Sequence, residues 1–375
     1  MKRVIVAVDS FKGSLTSAEA NLAVESGINA LYPECDGKKV SVAGGGEGTT
    51  AAIIETLSGE WREVEVHDPL MRAIKAKYGI INGGKCAVIE VASASGLTLL
   101  SNNERDPLKS SSYGFGEMID DAINLGCREF IIGIGGSATC DAGVGMLEAL
   151  GYSFFDGNGD EIKGLCGGKL SDIKEIRDGN PLIKECLFKV ACDVENPLYG
   201  ENGAAHIFAP QKGATPEMVE ILESGIINFS KIISEKYGRE VANLAGGGAA
   251  GGIGATLYSL FNASLENGIS MILNSVNFDT LLSDTQLVIT GEGKIDNQTL
   301  MGKVPFGILQ AAKKKGVKCV AICGIYSPSK ELEECGFEKI IEISPRDLPL
   351  EEVMQKNNAT RNIESCIIKF INSMR

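Results

Sequence analysis

Short apolar runs, each ending in a polar turn that carries glycine, recur along this chain. Residues 4–8 are apolar and stop at Asp9-Ser10-Phe11-Lys12-Gly13-Ser14. Residues 39–43 lead into Gly44-Gly45-Gly46-Glu47-Gly48-Thr49, and residues 287–290 into Gly291-Glu292-Gly293-Lys294-Ile295-Asp296-Asn297-Gln298-Thr299. Runs this short and this rich in β-branched residues predict buried strands. Further strands are expected at 87–92, 130–134, 188–191, 319–323 and 339–343. Helical periodicity fills intervals between them, as at 215–237 and 305–315. Thr16 or Ser17 opens the first helix, with Glu19 placed to complete a capping box. Strands alternating with helices imply right-handed βαβ units and a parallel sheet, so the fold class is α/β. Two α/β domains are expected: a discontinuous one from 1–66 plus 285–375, and a second, 67–284, inserted into it.

Composition narrows the function. The 46 glycines among 375 residues exceed the usual share of about 7% and cluster at the ends of apolar runs, where they mark tight turns and close backbone approach. A net charge of −13 argues against nucleic-acid or anionic-membrane partners, which need basic patches. An anionic ligand would have to be met by particular lysines, arginines, backbone N–H groups or a metal ion. Eleven cysteines without a Cys-x-x-Cys pair point to a reducing cytoplasm. The first apolar run is too short for a signal peptide, and the uncharged stretch 241–265 contains six glycines, which makes it a poor membrane span.

Four segments share one grammar, in which an apolar strand is followed by Gly, Ser or Thr mixed with Asp, Glu or Lys, and then by a helix. They are 9–13, 47–50, 133–141 and 291–299. In an open parallel sheet such turns lie on one edge, so their polar groups can converge. N–H groups at helix starts, with hydroxyls such as Ser137 and Thr139, suit phosphate, and nearby carboxylates suit Mg²⁺ or a base. A solvated turn needs glycines, but it does not need Glu292, Lys294 and Asp296 within five positions. No P-loop exists, because every Gly-Lys is followed by Lys, Cys, Leu, Ile or Val. The Gly-rich stretches at 133–136 and 246–254 lack the context of a dinucleotide fingerprint, which disfavours a nicotinamide oxidoreductase. Only His67 and His206 occur, neither in a zinc or triad spacing, so a base would be Asp or Glu. Lys12 could grip an anion as a point charge, Arg72 could fork a small carboxylate, and Lys212 sits in a stiff Pro-Gln-Lys-Gly turn. Cys140 and Cys192 read as small buried hydrophobes.

With these residues assembled, the chain resembles the bacterial glycerate kinase family that makes 2-phosphoglycerate. The resemblance runs nearly end to end. It rests on Asp9-Ser10-Phe11-Lys12-Gly13-Ser14-Leu15, Gly45-Gly46-Glu47-Gly48-Thr49, Ile134-Gly135-Gly136-Ser137-Ala138-Thr139 and Cys192-Asp193-Val194-Glu195-Asn196-Pro197-Leu198. Pro210-Gln211-Lys212-Gly213-Ala214, Gly248-Ala249-Ala250-Gly251-Gly252, Thr290-Gly291-Glu292-Gly293-Lys294 with Asp296-Gln298-Thr299, and Gly302-Lys303 extend it. It implies ATP-dependent phosphorylation of D-glycerate on two α/β domains, one of them flavodoxin-like. Four positions depart from the family pattern: Gly44 stands for a usual aspartate, Cys140 for asparagine, Ala209 for glycine and Val8 for proline. The first departure opens an alternative, a catalytically impaired relative that binds ATP or glycerate.

Residues and resemblance together give the expected site. Asp193, Glu292, Lys294 and Asp296 are the catalytic candidates. Ser10, Lys12, Arg72, Ser137, Thr139, Asp141 and Lys212 are expected to bind the acid. Gly46, Glu47, Gly48, Thr49, Gly291 and Gln298 are expected at ATP, and Asp9, Asp193 and Asp296 at Mg²⁺. The expected partner is a small molecule, with no nucleic acid or membrane, on a cytoplasmic monomer or homodimer.

Overall fold

A computed structural model describes residues 2–44, 46, 48–345 and 348–374. The chain divides into two compact units. Unit 1 takes the described residues of 1–44, 51–57 and 269–375, and unit 2 those of 45–50 and 58–268.

Unit 1 begins with β1 (Arg3–Val8) and β2 (Asp36–Lys39). Unit 2 then supplies β3 (Glu60–His67), β4 (Ala73–Ile81), β5 (Cys86–Glu90) and β6 (Glu129–Gly133). It continues with β7 (Ser153–Phe155), β8 (Glu161–Ile162), β9 (Glu175–Arg177), β10 (Leu187–Ala191) and β11 (Ser264–Glu266). The chain returns to unit 1 for β12 (Leu287–Ile295), β13 (Lys318–Tyr326) and β14 (Lys339–Glu342).

The unit 1 sheet has the order β14-β13-β12-β1-β2, all parallel. Counted within the unit this is 2-1-3-4-5, the flavodoxin-like order, whose switch point lies between its first and third strands. Here those are β1 and β12, in register from Val4 against Leu287 to Val8 against Gly291. Val4 to Val8 are all buried, as a central parallel strand requires. The helix Ser17–Asn29 starts at the expected capping box: Thr16 Oγ1 accepts the Glu19 N–H, and the Glu19 carboxylate accepts the Thr16 N–H. It packs with the helix Lys356–Ser373 on one face through Val24, Ile28, Ile363 and Ile367. Gly27 permits that approach, since a Cβ there would stand 2.9 Å from Ile367 Cβ.

Two elements depart from the sequence reading. The second strand is Asp36–Lys39, not 39–43. Residues 40–43 are buried past the last ladder bond, Val40 N–H to Val6 O (2.8 Å), and the Asn21 side chain takes over by accepting the Val8 N–H (2.9 Å) and donating to Val40 O (3.1 Å). The strand expected at 287–290 continues to Ile295. Gly291 allows it, because a Cβ there would lie 2.2 Å from Ile322 O on β13.

Unit 2 holds a sheet of order β11-β10-β6-β5-β4-β3 and a small antiparallel one, β8-β7-β9. β5, β6, β10 and β11 are parallel, while β4 and β3 run antiparallel. The β3 pairing with β4 carries Ser58–Val66 into unit 2, and Ile269–Asp284 lie in unit 1, whereas the sequence reading set the limits at 66 and 284. Phe130 and Phe188, partners across β6 and β10, stack at 4.6 Å within the core. Among the described residues no helix is long and apolar enough to cross a membrane.

Candidate active site

Each unit carries one polar sheet edge. In unit 1 it lies at the β1/β12 switch point, the position where open parallel sheets bind ligands. Asp9 follows β1, its N–H donating to Gly291 O (2.8 Å) and its Oδ1 accepting the Ser10 N–H (2.7 Å). Lys12 is exposed on the next turn, where Gly13 adopts φ +78°.

Glu292 extends from β12 itself and is buried. Its Oε1 accepts the hydroxyl of fully buried Thr299 (2.7 Å), and Lys303 Nζ stands 3.9 Å from Oε2. Asp296 caps the short turn Asn297–Met301 by accepting the Gln298 N–H (2.9 Å), and pairs with Lys294 Nζ at 2.9 Å. Thr299 Oγ1 also accepts the Asp296 N–H (3.2 Å), so one side chain links both carboxylate positions.

The two carboxyls sit in opposite environments. Burial pushes Glu292 above its ordinary value and the Asp9 and Asp296 charges add to that, while Thr299 and Lys303 oppose it. The Lys294 hydrogen bond holds Asp296 below its ordinary value. Two carboxylates whose protonation is driven apart are the usual signature of a divided acid–base and charge-holding task. Among the described residues no group of three or more His, Cys, Asp or Glu forms a ready metal cage. Mg²⁺, however, commonly takes only one or two carboxylates and completes its shell with phosphate oxygens and water.

In unit 2, register places Glu90, Gly133, Ala191 and Glu266 on one line at the ends of β5, β6, β10 and β11. The turn after β6 is fixed from several sides. Leu97 N–H donates to Gly136 O (2.9 Å) and Ala138 N–H to Ser95 O (2.8 Å). Lys212 Nζ donates to Ser137 Oγ (2.9 Å) and Thr139 O (2.6 Å). Gly251 closes behind, since a Cβ there would meet Thr139 O at 2.2 Å. Ala142 and Ala250 hold left-handed φ of +47° and +53°, strain of a kind that gathers at functional loops. Burial lowers the Lys212 pKa, with Cys140 and Asp141 opposing.

Asp193 follows β10 with an exposed side chain whose Oδ1 accepts Asn267 Nδ2 (3.1 Å) and the Gly268 N–H (2.8 Å). In the Gly46–Thr49 turn, Thr49 Oγ1 donates to Gly46 O (2.7 Å), and Gly48 adopts φ +90°. Glu47 lies outside the described residues.

Two expected acid-binding residues are turned to other work. Asp141 is fully buried: Oδ2 accepts Ser112 N–H (2.8 Å), Ser112 Oγ–H (2.7 Å) and Gly145 N–H (3.3 Å), and Oδ1 accepts Gly143 N–H (3.1 Å). It joins two loops and is not open to a ligand. Arg72 pairs with Asp68 (2.5 Å) and Glu104 (2.6 Å), its side chain remaining about half exposed. Three residues of the two edges were not among the expected ones. Glu90, which accepts the Thr50 N–H (2.7 Å), was signalled as a lone carboxylate in an apolar run. Thr299 and Lys303 belong to motifs quoted above, but only the fold shows what they touch.

Residues 4–375 match the family described as the Glycerate kinase family. A protein named Glycerate kinase from Halalkalibacterium halodurans is 42% identical over 371 residues, covering 97% of each chain. Glycerate 2-kinase of Escherichia coli is 43% identical over 324 residues, 86% of this chain and 85% of its own. A crystal structure from Salmonella typhimurium LT2, provisionally named glycerate kinase 2, superposes with a TM-score of 0.90 at 38% identity, covering 100% of this chain and 98% of the other.

Proposed function

This chain belongs to the glycerate kinase family, and from that membership we propose that it transfers the γ-phosphoryl group of MgATP to a hydroxyl of D-glycerate, giving 2-phosphoglycerate. The observation that carries the reading is the opposed pair at the β1/β12 switch point, with Glu292 buried and raised and Asp296 ion-paired and lowered.

Glu292 is assigned the role of proton acceptor for the attacking hydroxyl, since a raised carboxyl lies closer to the working pH, where a base is most effective. Asp296 stays charged and, with Asp9, suits a magnesium ion that arrives with the nucleotide phosphates. That ion would neutralise phosphate charge. Asp193 remains a candidate metal ligand or charge of unit 2. Lys294 and Lys303 supply positive charge beside these carboxylates, and the turn at 135–139 is assigned to the carboxylate of the acid. Gly46, Gly48, Thr49, Gly291 and Gln298 are retained as the nucleotide-binding assignment, and Ser10 and Lys12 as acid-binding. Most of the acceleration in such a reaction comes from alignment and charge neutralisation.

A coupled assay of ADP release from MgATP with D-glycerate, followed by NMR of the product, tests this. Turnover to 2-phosphoglycerate is expected; phosphate on another hydroxyl, or no ADP, refutes it. Binding without turnover would favour the impaired relative, and Gly44→Asp should then restore rate. Lys294→Ala is expected to cost about 10²-fold in kcat, as for loss of one charge-stabilising donor. A variant turning over at the normal rate would remove Lys294 from the machinery.

A further inference from the structure

Lys212 is buried more completely than a surface ligand contact requires, and the chain is shaped to put it there. A π turn at Ala204–Phe208 leads into the 3-10 turn Pro210–Lys212, closed by Gly213 at φ +96°. A Cβ at Gly213 would stand 2.3 Å from Arg105 O, so the backbone is pinned at that point. The Lys212 side chain then runs inward until the residue is 3% exposed. Both acceptors it reaches, Ser137 Oγ and Thr139 O, belong to the turn after β6, and neither is a carboxylate.

An ammonium group can only donate. Ser137 Oγ, in accepting from it, keeps its own hydrogen to give elsewhere. Ser137 is 6% exposed, against 0% for Thr139, so of the two residues only Ser137 keeps any surface open beyond the turn. A buried cation beside that hydroxyl polarises the O–H bond toward an acceptor and favours one that is anionic.

We propose that Lys212 is a positioning residue: acting through Ser137, it makes the turn at 135–139 a receptor for the substrate carboxylate without touching that carboxylate itself. The inference rests on the kinase reading for the identity of the anion. It differs from a direct Lys212 contact in a measurable way, because a residue that acts only through another adds nothing once the other is removed.

The test is a cycle of Lys212→Met, Ser137→Ala and the double variant, each checked for folding by the fluorescence of Trp61, the chain's single tryptophan. Methionine matches the length of the stem and removes the buried charge, leaving Ser137 Oγ and Thr139 O without that donor. Each single variant is expected to raise KM for D-glycerate roughly tenfold while kcat falls far less, and the double to match Ser137→Ala. Multiplying effects in the double would show a separate Lys212 contact and overturn the proposal. An unchanged KM in Lys212→Met, or a raised KM for ATP instead, would overturn it as well. If the unaltered protein gives no turnover, the kinase reading fails on its own. Calorimetric titration with D-glycerate and with inorganic phosphate then decides the receptor: weaker binding in Lys212→Met supports it, and equal binding or none in the unaltered protein refutes it.

Discussion

Glu292→Gln is expected to lower kcat by about 10²–10⁴-fold, the usual worth of a positioned proton acceptor. Glutamine keeps the carbonyl oxygen that accepts the Thr299 hydroxyl and fills the same volume, so the β12 edge should stay intact. What is lost is the ability to take a proton. Stability should move the other way. Burial raises the Glu292 carboxyl in the folded protein, so folding favours its protonated form and the ionised form costs stability once pH exceeds the unfolded value. The variant, neutral throughout, should therefore melt no lower than the parent at neutral pH, and its advantage should vanish in acid. In the parent, the acid limb of kcat/KM should fall at a pH above the ordinary carboxylate value. A variant with near-normal turnover would pass the role of base to Asp9 or Asp193.

The unit 1 frame was legible in the sequence because its central strands, β1, β12 and β13, are largely buried on both faces. The apolar stretch of β1 and the Thr16/Glu19 capping box are local signals, and both elements occur where those signals place them. β2 was misplaced for the opposite reason. As an edge strand it pairs only with β1, so Asp36-Gly37-Lys38-Lys39 can form it without apolar residues. Glycine misled at β12, where Gly291 looks like a breaker but serves close passage. A Cβ on Gly291 would strike Ile322 O, and one on Gly324 would reach 2.8 Å from Gly293 O. Glu292 therefore projects from a strand, where its direction is fixed by the pleat and its neighbours.

The chemistry was legible by residue type and less so by orientation. Glu292, Lys294 and Asp296 were marked by their density, and the fold does bring them together on one edge. Arg72 and Asp141 have side chains suited to ligands, yet each also has a partner at a position no local pattern reveals. Glu104 is 32 residues from Arg72, and Ser112 is 29 from Asp141. Lys212 and Ser137 are 75 apart, so that pair too existed only in the folded chain. Long-range partners decide whether a charged side chain faces inward or toward a ligand.

Asp141→Ala gives that distinction its sharpest test, with an expected loss of about 3–5 kcal/mol in stability. Alanine would leave the Ser112 N–H, the Ser112 hydroxyl, the Gly143 N–H and the Gly145 N–H without their acceptor, all in a fully buried place. Ser112 Oγ also accepts the Met146 N–H (2.9 Å), so a shift of Ser112 would loosen the helix Val144–Ala149 at its start. Burial alone pushes the Asp141 carboxyl up, and these donors are what oppose it. The residue lies in unit 2, as does Trp61 on β3, so urea unfolding followed by tryptophan fluorescence reads the affected unit directly. The midpoint should fall sharply with little change in the slope. Activity measured well below the new midpoint should keep its KM for D-glycerate, because Asp141 does not reach the ligand. A raised KM with an unmoved unfolding midpoint would mean that the carboxylate faces the substrate after all.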